Sequence, residues 1–205
     1  LSGCSIVSIE NEQIPNIVND ILGKSTNLKS VSLEGYSYYL PQNVSLKSSQ
    51  KSNSVLYYNH NKMYLYVDLV SYYNKTENTY SINNNSYYSD KINLNGGYLE
   101  ISELENKYFV EFMYNYSKFE AYVSKDDLNK TITQMAYILR SIKFQDKILD
   151  SLIGEASLNY TSEQFNIYKT NGTEKRDYLE YVEEHDDGRK NSKDEDILEI
   201  DENFE

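Results

Sequence analysis

Tyrosine governs what this chain can fold into. It occurs 22 times, tryptophan is absent, and it supplies much of a hydrophobic fraction that reaches only 39%. A phenol pairs an apolar ring with a polar tip, so it suits the half-exposed face of a sheet better than a dry core. The sequence therefore predicts a thin core and a predominance of β structure. At 205 residues there is room for one domain of ordinary size and a tail.

The strand signals are local. Met63, Leu65, Val67 and Leu69 alternate with Tyr64, Tyr66 and Asp68, which gives one dry face and one wetter face. Residues 55–58 and 63–73 predict a hairpin around Asn59-His60-Asn61. A further strand is expected over 31–40, ending at Pro41. Residues 74–96, rich in Asn, Ser and Tyr, predict a loop closed by a turn at Asn95-Gly96-Gly97. Three more strands follow over 98–104, 108–116 and 119–123, with turns at Asn106 and at Ser117-Lys118.

Two helices stand out. Over 12–24, Ile14, Ile17, Val18, Ile21 and Leu22 form one apolar stripe, Pro15 is tolerated in the first turn, and Gly23 is the stop. Ser124 is the expected cap of the second helix, with Asp126 and Asp127 in its first turn. Leu128, Ile132, Met135, Leu139 and Ile142 are its buried stripe, and it is expected to end near Arg140. Beyond Phe144 the pattern weakens to one helical turn at 148–153, a short strand at 165–168 and a brief helix at 178–182. The expected fold class is α+β, an antiparallel sheet covered by helices. The expected division is a tether over 1–11, an α+β domain over 12–170 with its core in 12–144, and an acidic, disordered tail over 171–205.

Charge narrows the partners. The chain carries −12, of which residues 174–205 hold −9, leaving −3 for the rest. That balance gives no basic footprint for nucleic acid and no polybasic patch for anionic lipid. No run of 18 apolar residues is present to span a membrane. The single cysteine excludes a disulfide within the chain.

Catalytic signals are absent at the level of motifs. There is no HExxH, CxxC, GxSxG or P-loop. His60 falls in a predicted turn, and His185 falls in the Glu183-Glu184-His185-Asp186-Asp187 run. That run matches no EF-hand spacing and reads as a solvated charge cluster. The expectation is a non-catalytic protein with no cofactor and no metal.

Leu1-Ser2-Gly3-Cys4 resembles the lipobox of bacterial lipoproteins: an aliphatic residue, two small residues, then cysteine. The resemblance implies that Cys4 becomes the first mature residue, that its sulfur carries a diacylglycerol, and that an apolar targeting segment precedes Leu1. Two acyl chains anchor stably, because each buried methylene contributes roughly 0.8 kcal/mol. The implied location is the extracytoplasmic face of the cell membrane. The order helix, strand, hairpin, meander, helix is similar to the PsbP-like family. The likeness rests on the Tyr36-Ser37-Tyr38-Tyr39-Leu40-Pro41 opening and on the closing helix that runs into Arg140-Ser141-Ile142-Lys143-Phe144. It covers roughly residues 12–144 and implies an α/β/α sandwich. Family members are often small secreted or lipid-anchored proteins that assist assembly or bind a partner. The family has no shared catalytic residue, so none is transferred.

Candidate contact residues are of two kinds. The pairs Tyr57-Tyr58 and Tyr72-Tyr73 can stack on sugars or peptides. In the tail, Ile197, Leu198, Ile200 and Phe204 are embedded in acids and can dock on a groove with a basic rim. The leading functional expectation is a lipid-anchored accessory protein acting through contact with an unidentified protein. A surface glycan- or small-ligand-binding lipoprotein using the Tyr-rich loop is the alternative, and a cell-surface enzyme with an unrecognised site is the third. Replacing Cys4 by Ser is expected to abolish membrane association while leaving the domain folded. Metabolic labelling with a palmitate analogue checks this, and label retained in the mutant contradicts the anchor.

Overall fold

The computed structural model describes residues 14–92 and 96–154. Cys4, the expected strand at 165–168, the expected helix at 178–182 and the acidic tail lie outside the described residues.

Helix α1, Ile14–Leu22, buries Ile14, Val18, Ile21 and Leu22. It stops at Gly23, whose N–H donates to the Asn19 carbonyl at 2.9 Å. The strand expected over 31–40 is instead two strands, β1 (Val31–Leu33) and β2 (Tyr36–Tyr38), paired antiparallel. The break is the Glu34-Gly35 turn. Gly35 has φ +91°, a conformation that favours glycine, and a Cβ there would stand 2.7 Å from Leu149 Cδ2, so that side chain would have to shift.

The next strand, β3 (Val44–Gln50), had no sequence signal. It is polar because it is an edge, paired only with β4 (Asn53–Tyr58). Strand β5 (Asn61–Val67) returns from the Asn59-His60 turn, where Asn59 is left-handed with φ 53°. Its alternation holds: Met63, Leu65 and Val67 are buried. It does not run to Tyr73, however. Asp68 intervenes as an N-cap, accepting from the Ser71 N–H at 2.8 Å, and starts helix α2 (Leu69–Asn74).

A second unforeseen strand, β6 (Tyr88–Ile92), lies inside the expected loop. It pairs with β7 (Gly97–Leu104), which is followed by β8 (Lys107–Tyr114) and β9 (Ser117–Ser124). The β8–β9 turn is Asn115-Tyr116, not Ser117-Lys118. Both turn residues are left-handed, with φ 49° and 58°, which matches the twist of a tight hairpin.

After β9 comes a 3-10 turn, Lys125–Asp127, then helix α3 (Leu128–Ser141). Ser124 makes no backbone cap bond, contrary to expectation; its hydroxyl donates to Asp127 Oδ2 at 3.5 Å. Asp127 also accepts from Asn59 Nδ2 and Asn61 Nδ2, each at 3.0 Å. The helix ends one residue past Arg140, whose Nη1 donates to the Ile21 carbonyl at 3.2 Å. Strand β10 (Lys143–Phe144) then pairs with β2, and helix α4 (Asp146–Gly154) closes the described region. Leu149 and Ile153 of α4 are buried, so the core continues past residue 144.

The strands form a three-stranded sheet, β1-β2-β10, and a seven-stranded antiparallel sheet in the order β3-β4-β5-β9-β8-β7-β6. The fold is α+β, an antiparallel sheet covered by helices. Strand alternation gives the large sheet two distinct faces. Leu56, Met63, Leu65, Leu99, Ile101, Val110, Phe112, Phe119 and Ala121 share the inner face and one core cluster with the buried residues of the helices. The helical cover of the large sheet, among the described residues, lies on this inner face.

Leu139 is fully buried in that cluster, whereas Asn84 is exposed. Leu139→Asp places an unpaired carboxylate in the core and is expected to cost about 3–5 kcal/mol, enough to unfold the domain. Asn84→Asp is expected to leave the melting temperature nearly unchanged. Equal thermal shifts in the two variants would contradict this placement of the core.

Candidate functional site

The outer face of the large sheet is the feature that packing alone does not explain. On its central strands it carries Tyr98, Glu100 and Ser102 from β7, Phe109, Glu111 and Met113 from β8, and Lys118, Glu120 and Tyr122 from β9. The register sets Glu100 directly opposite Glu111, and Glu111 directly opposite Glu120. The row continues to Tyr64 on β5. Three carboxylates therefore stand side by side, and all three are buried, at 3%, 6% and 8% exposure. Like charges directly opposed on neighbouring strands repel, and burial adds a desolvation cost.

Several groups offset that cost. Lys118 Nζ contacts Glu120 and lies 4.0 Å from Glu111. Glu100 is held by the segment 75–87, which joins α2 to β6. Tyr80 OH donates to Glu100 Oε2 at 2.5 Å, while Asn83 Nδ2 and Ser86 Oγ donate to Oε1 at 2.7 and 2.8 Å. Tyr80 also stacks on Tyr98, with centroids 4.0 Å apart and planes 2° from parallel. Phe109 packs on Tyr122 at 5.0 Å. Among the described residues, these long side chains are what lies over the acids.

Burial, first of all, pushes the Tyr98 phenol up, and Glu111, Glu120, Glu100 and Tyr80 add to it. Burial likewise raises Tyr80, followed by its hydrogen bond to Glu100. Both phenols stay protonated and remain donors. Tyr88 is raised to about 12 by burial and then by Asp90. Tyr108 is raised to about 12 by burial and then by Tyr87 and Glu103.

The four tyrosines singled out in the sequence do not share one surface. Tyr57 is on the outer face, opposite Lys62 and half-buried. Tyr58, one residue on, faces inward and is 8% exposed. Tyr72 on α2 stacks on Phe144 at 3.7 Å, meets the edge of Tyr116 at 5.6 Å, and donates to Asp146 Oδ1 at 2.9 Å. Tyr73 is half-buried against the core. Ile197, Leu198 and Phe204 lie outside the described residues. His60, the one histidine among the described residues, is exposed at the β4–β5 turn.

Sequence reasoning passed over Glu100, Glu111, Glu120 and Lys118. A signal was present. Each glutamate sits mid-strand with an aromatic, sulfur or lysine side chain two residues away on the same face. Hairpins centred on 105–106 and 115–116 align all three. Placing the second turn at Ser117-Lys118 shifts that register and hides the row.

Chemically, this arrangement accepts hydrogen bonds and offers aromatic surface. Among the described residues no group of three His, Cys, Asp or Glu is arranged to hold a metal ion. No helix among them is long and apolar enough to cross a membrane. Comparison with protein-family models, with curated proteins and with solved structures finds no match to the chain.

The tyrosines carry a pH consequence. Tyr36, Tyr38, Tyr72, Tyr80, Tyr88, Tyr98 and Tyr108 all have raised values, burial being the first cause in each. A folded-state value above the unfolded value of about 10 means the folded state holds the proton more tightly. That contribution to stability is complete below about pH 10 and is lost as pH rises through the folded values. Phenolate absorbance from these residues is therefore expected to appear together with loss of circular dichroism above about pH 10. An ordinary tyrosine titration with a native spectrum throughout would contradict it.

Proposed function

We propose that this chain is a lipid-anchored, extracytoplasmic accessory protein that binds a partner protein through the outer face of its seven-stranded sheet, without catalysis. The observation that carries the reading is the row of half-buried tyrosines on that face, Tyr57, Tyr64, Tyr66 and Tyr122, interleaved with Lys62 and Lys118. Tyrosine gives large contact area at low entropic cost and is enriched at protein interfaces. Seven strands present a width of roughly 30 Å, enough for an interface of standard size. Lys62 lies 5.1 Å from the Tyr64 ring centroid, so charge and ring alternate as they do in specific interfaces.

The lipobox-like Leu1-Ser2-Gly3-Cys4 supports the membrane location, with the lipid on Cys4. The PsbP-like succession of elements supports an assembly or partner-binding role over an enzymatic one. The surface for a ligand is better sought on the sheet than on the Tyr-rich loop, because Tyr80 of that loop is turned inward onto Tyr98.

Photo-cross-linking tests the surface directly. A photoreactive residue at Tyr57 or Tyr122 of the membrane-anchored full chain is expected to capture a discrete protein. The same residue at Tyr137, exposed on α3, is expected to capture none. Capture from Tyr137 alone, or equally from all three positions, would place the interface elsewhere.

A further inference from the structure

We propose that a cleft at the end of the seven-stranded sheet, formed by residues 76–78 with Gly96 and the β8–β9 turn, binds a short stretch of a neutral saccharide. Its volume is about 350 Å³, at the small end of ligand clefts, which run from roughly 300 to 1,000 Å³. Among the described residues Thr76, Glu77, Asn78, Gly96, Asn115 and Tyr116 line it. It shares no residue with the tyrosine row of the outer face.

The walls are fixed by backbone bonds and ring packing. The Thr76 N–H donates to the Ser71 carbonyl of α2 at 2.9 Å, and the Tyr116 carbonyl accepts the Asp68 N–H at 2.8 Å. The Tyr116 ring stands edge-to-face with Tyr72 at 5.6 Å and with Phe144 at 6.4 Å. Gly96 leaves its side open, since even a Cβ there would meet only the Asn78 carbonyl oxygen, at 4.0 Å. The polar side chains are not so committed. Those of Thr76, Glu77, Asn78 and Asn115 make no hydrogen bond or ion pair with any described residue. A fixed frame carrying unspent donors and acceptors is pre-organised for a ligand.

The turn adds an independent sign. Asn115 and Tyr116 are both left-handed, at φ 49° and 58°. Asparagine tolerates that region and glycine favours it, whereas a bulky side chain there is strained. The chain nevertheless keeps a ring at position 116, and strain of this kind gathers at ligand sites.

The lining selects the ligand. Two amides, a hydroxyl and a carboxylate offer donors and acceptors side by side, which suits the adjacent hydroxyls of a sugar. The Tyr116 ring offers an apolar wall to the C–H face of a pyranose. Glu77 is the one charged side chain among the described lining residues, so an anionic ligand is repelled. Lys75, next in sequence, has its Nζ over the Tyr72 ring, 3.7 Å from the centroid. One carboxylate is too few hard ligands for a divalent cation, and one ring is too little for an apolar ligand.

Amide NMR of the full chain tests the site, with glucose, maltose and chitobiose as probes and glucuronate as the anionic counterpart. At least one neutral sugar is expected to shift the amides of Asn78, Gly96, Asn115 and Tyr116 to saturation, with glucuronate binding about tenfold or more weaker. Asn78→Ala and Asn115→Gly each remove one amide, and glycine preserves the left-handed turn. Each is expected to weaken binding by about threefold to tenfold, whereas Asn84→Ala, at an exposed position outside the cleft, leaves it unchanged. Absence of saturable shifts with all three neutral sugars would overturn the proposal. So would shifts confined to other surfaces, glucuronate bound as tightly as the neutral sugars, or an affinity indifferent to both cleft substitutions.

Discussion

Helix α3 buries Ile132, Met135, Ala136, Ile138 and Leu139 in one cluster with Val110, Phe112, Phe119 and Ala121 of β8 and β9, and its two ends then fix other elements. At its start, Asp127 accepts from Asn59 and Asn61 and so ties the helix to the β4–β5 turn. At its end, Arg140 reaches the Ile21 carbonyl of α1, while Ser141 Oγ accepts the Tyr39 N–H at 2.8 Å just beyond β2. One apolar contact thus determines where the small sheet, the first helix and the hairpin side of the large sheet can sit. Burial of that stripe is non-directional and sets the overall stability. The polar ties at the two ends are directional, and they set orientation.

The outer face follows an opposite logic. Glu100, Glu111 and Glu120 in register are a poor choice for stability, since the same positions filled with threonine or valine would make a sheet without repulsion. The chain tolerates the row by setting Lys118 beside it, by three donors from segment 75–87 on one acid, and by rings that exclude water. Local rules of this kind are broken most often where a surface has work other than folding. The outer face, with its tyrosines half-buried and its acids buried, is where that work is best sought.

How much of this was legible in the sequence depended on periodicity. The stripes Ile14-Val18-Ile21-Leu22 and Leu128-Ile132-Met135-Leu139 repeat at helical spacing over several turns, and the Met63-Leu65-Val67 alternation is regular, so α1, α3 and β5 could be read. Strands β3 and β6 could not, because an edge strand has only one paired side and its sequence stays polar. Helix α2 was hidden because Asp68 and Leu69 continue the alternation of β5 while Asp68 is in fact a cap. The carboxylate row was hidden for a different reason. Its detection needs register, and register comes from turns. Here the left-handed turn positions are filled by Lys51, Glu105, Asn115 and Tyr116, with φ 48°, 41°, 49° and 58°, rather than by the glycine that announces such a turn. A chain that pays for left-handed Lys, Glu and Tyr gives few local clues to its own hairpins.

The outer face shows what tyrosine, at 22 residues against 6 phenylalanines, offers that phenylalanine does not. A carboxylate buried on this face needs two things at once: a ring to keep water away and a donor to satisfy its oxygens. Phenylalanine supplies only the first. Serine supplies only the second, as Ser86 does for Glu100. Tyr80 supplies both, its ring on Tyr98 and its hydroxyl on Glu100. Raised phenol values keep that hydroxyl a donor across the physiological range, so the arrangement does not depend on small changes of pH.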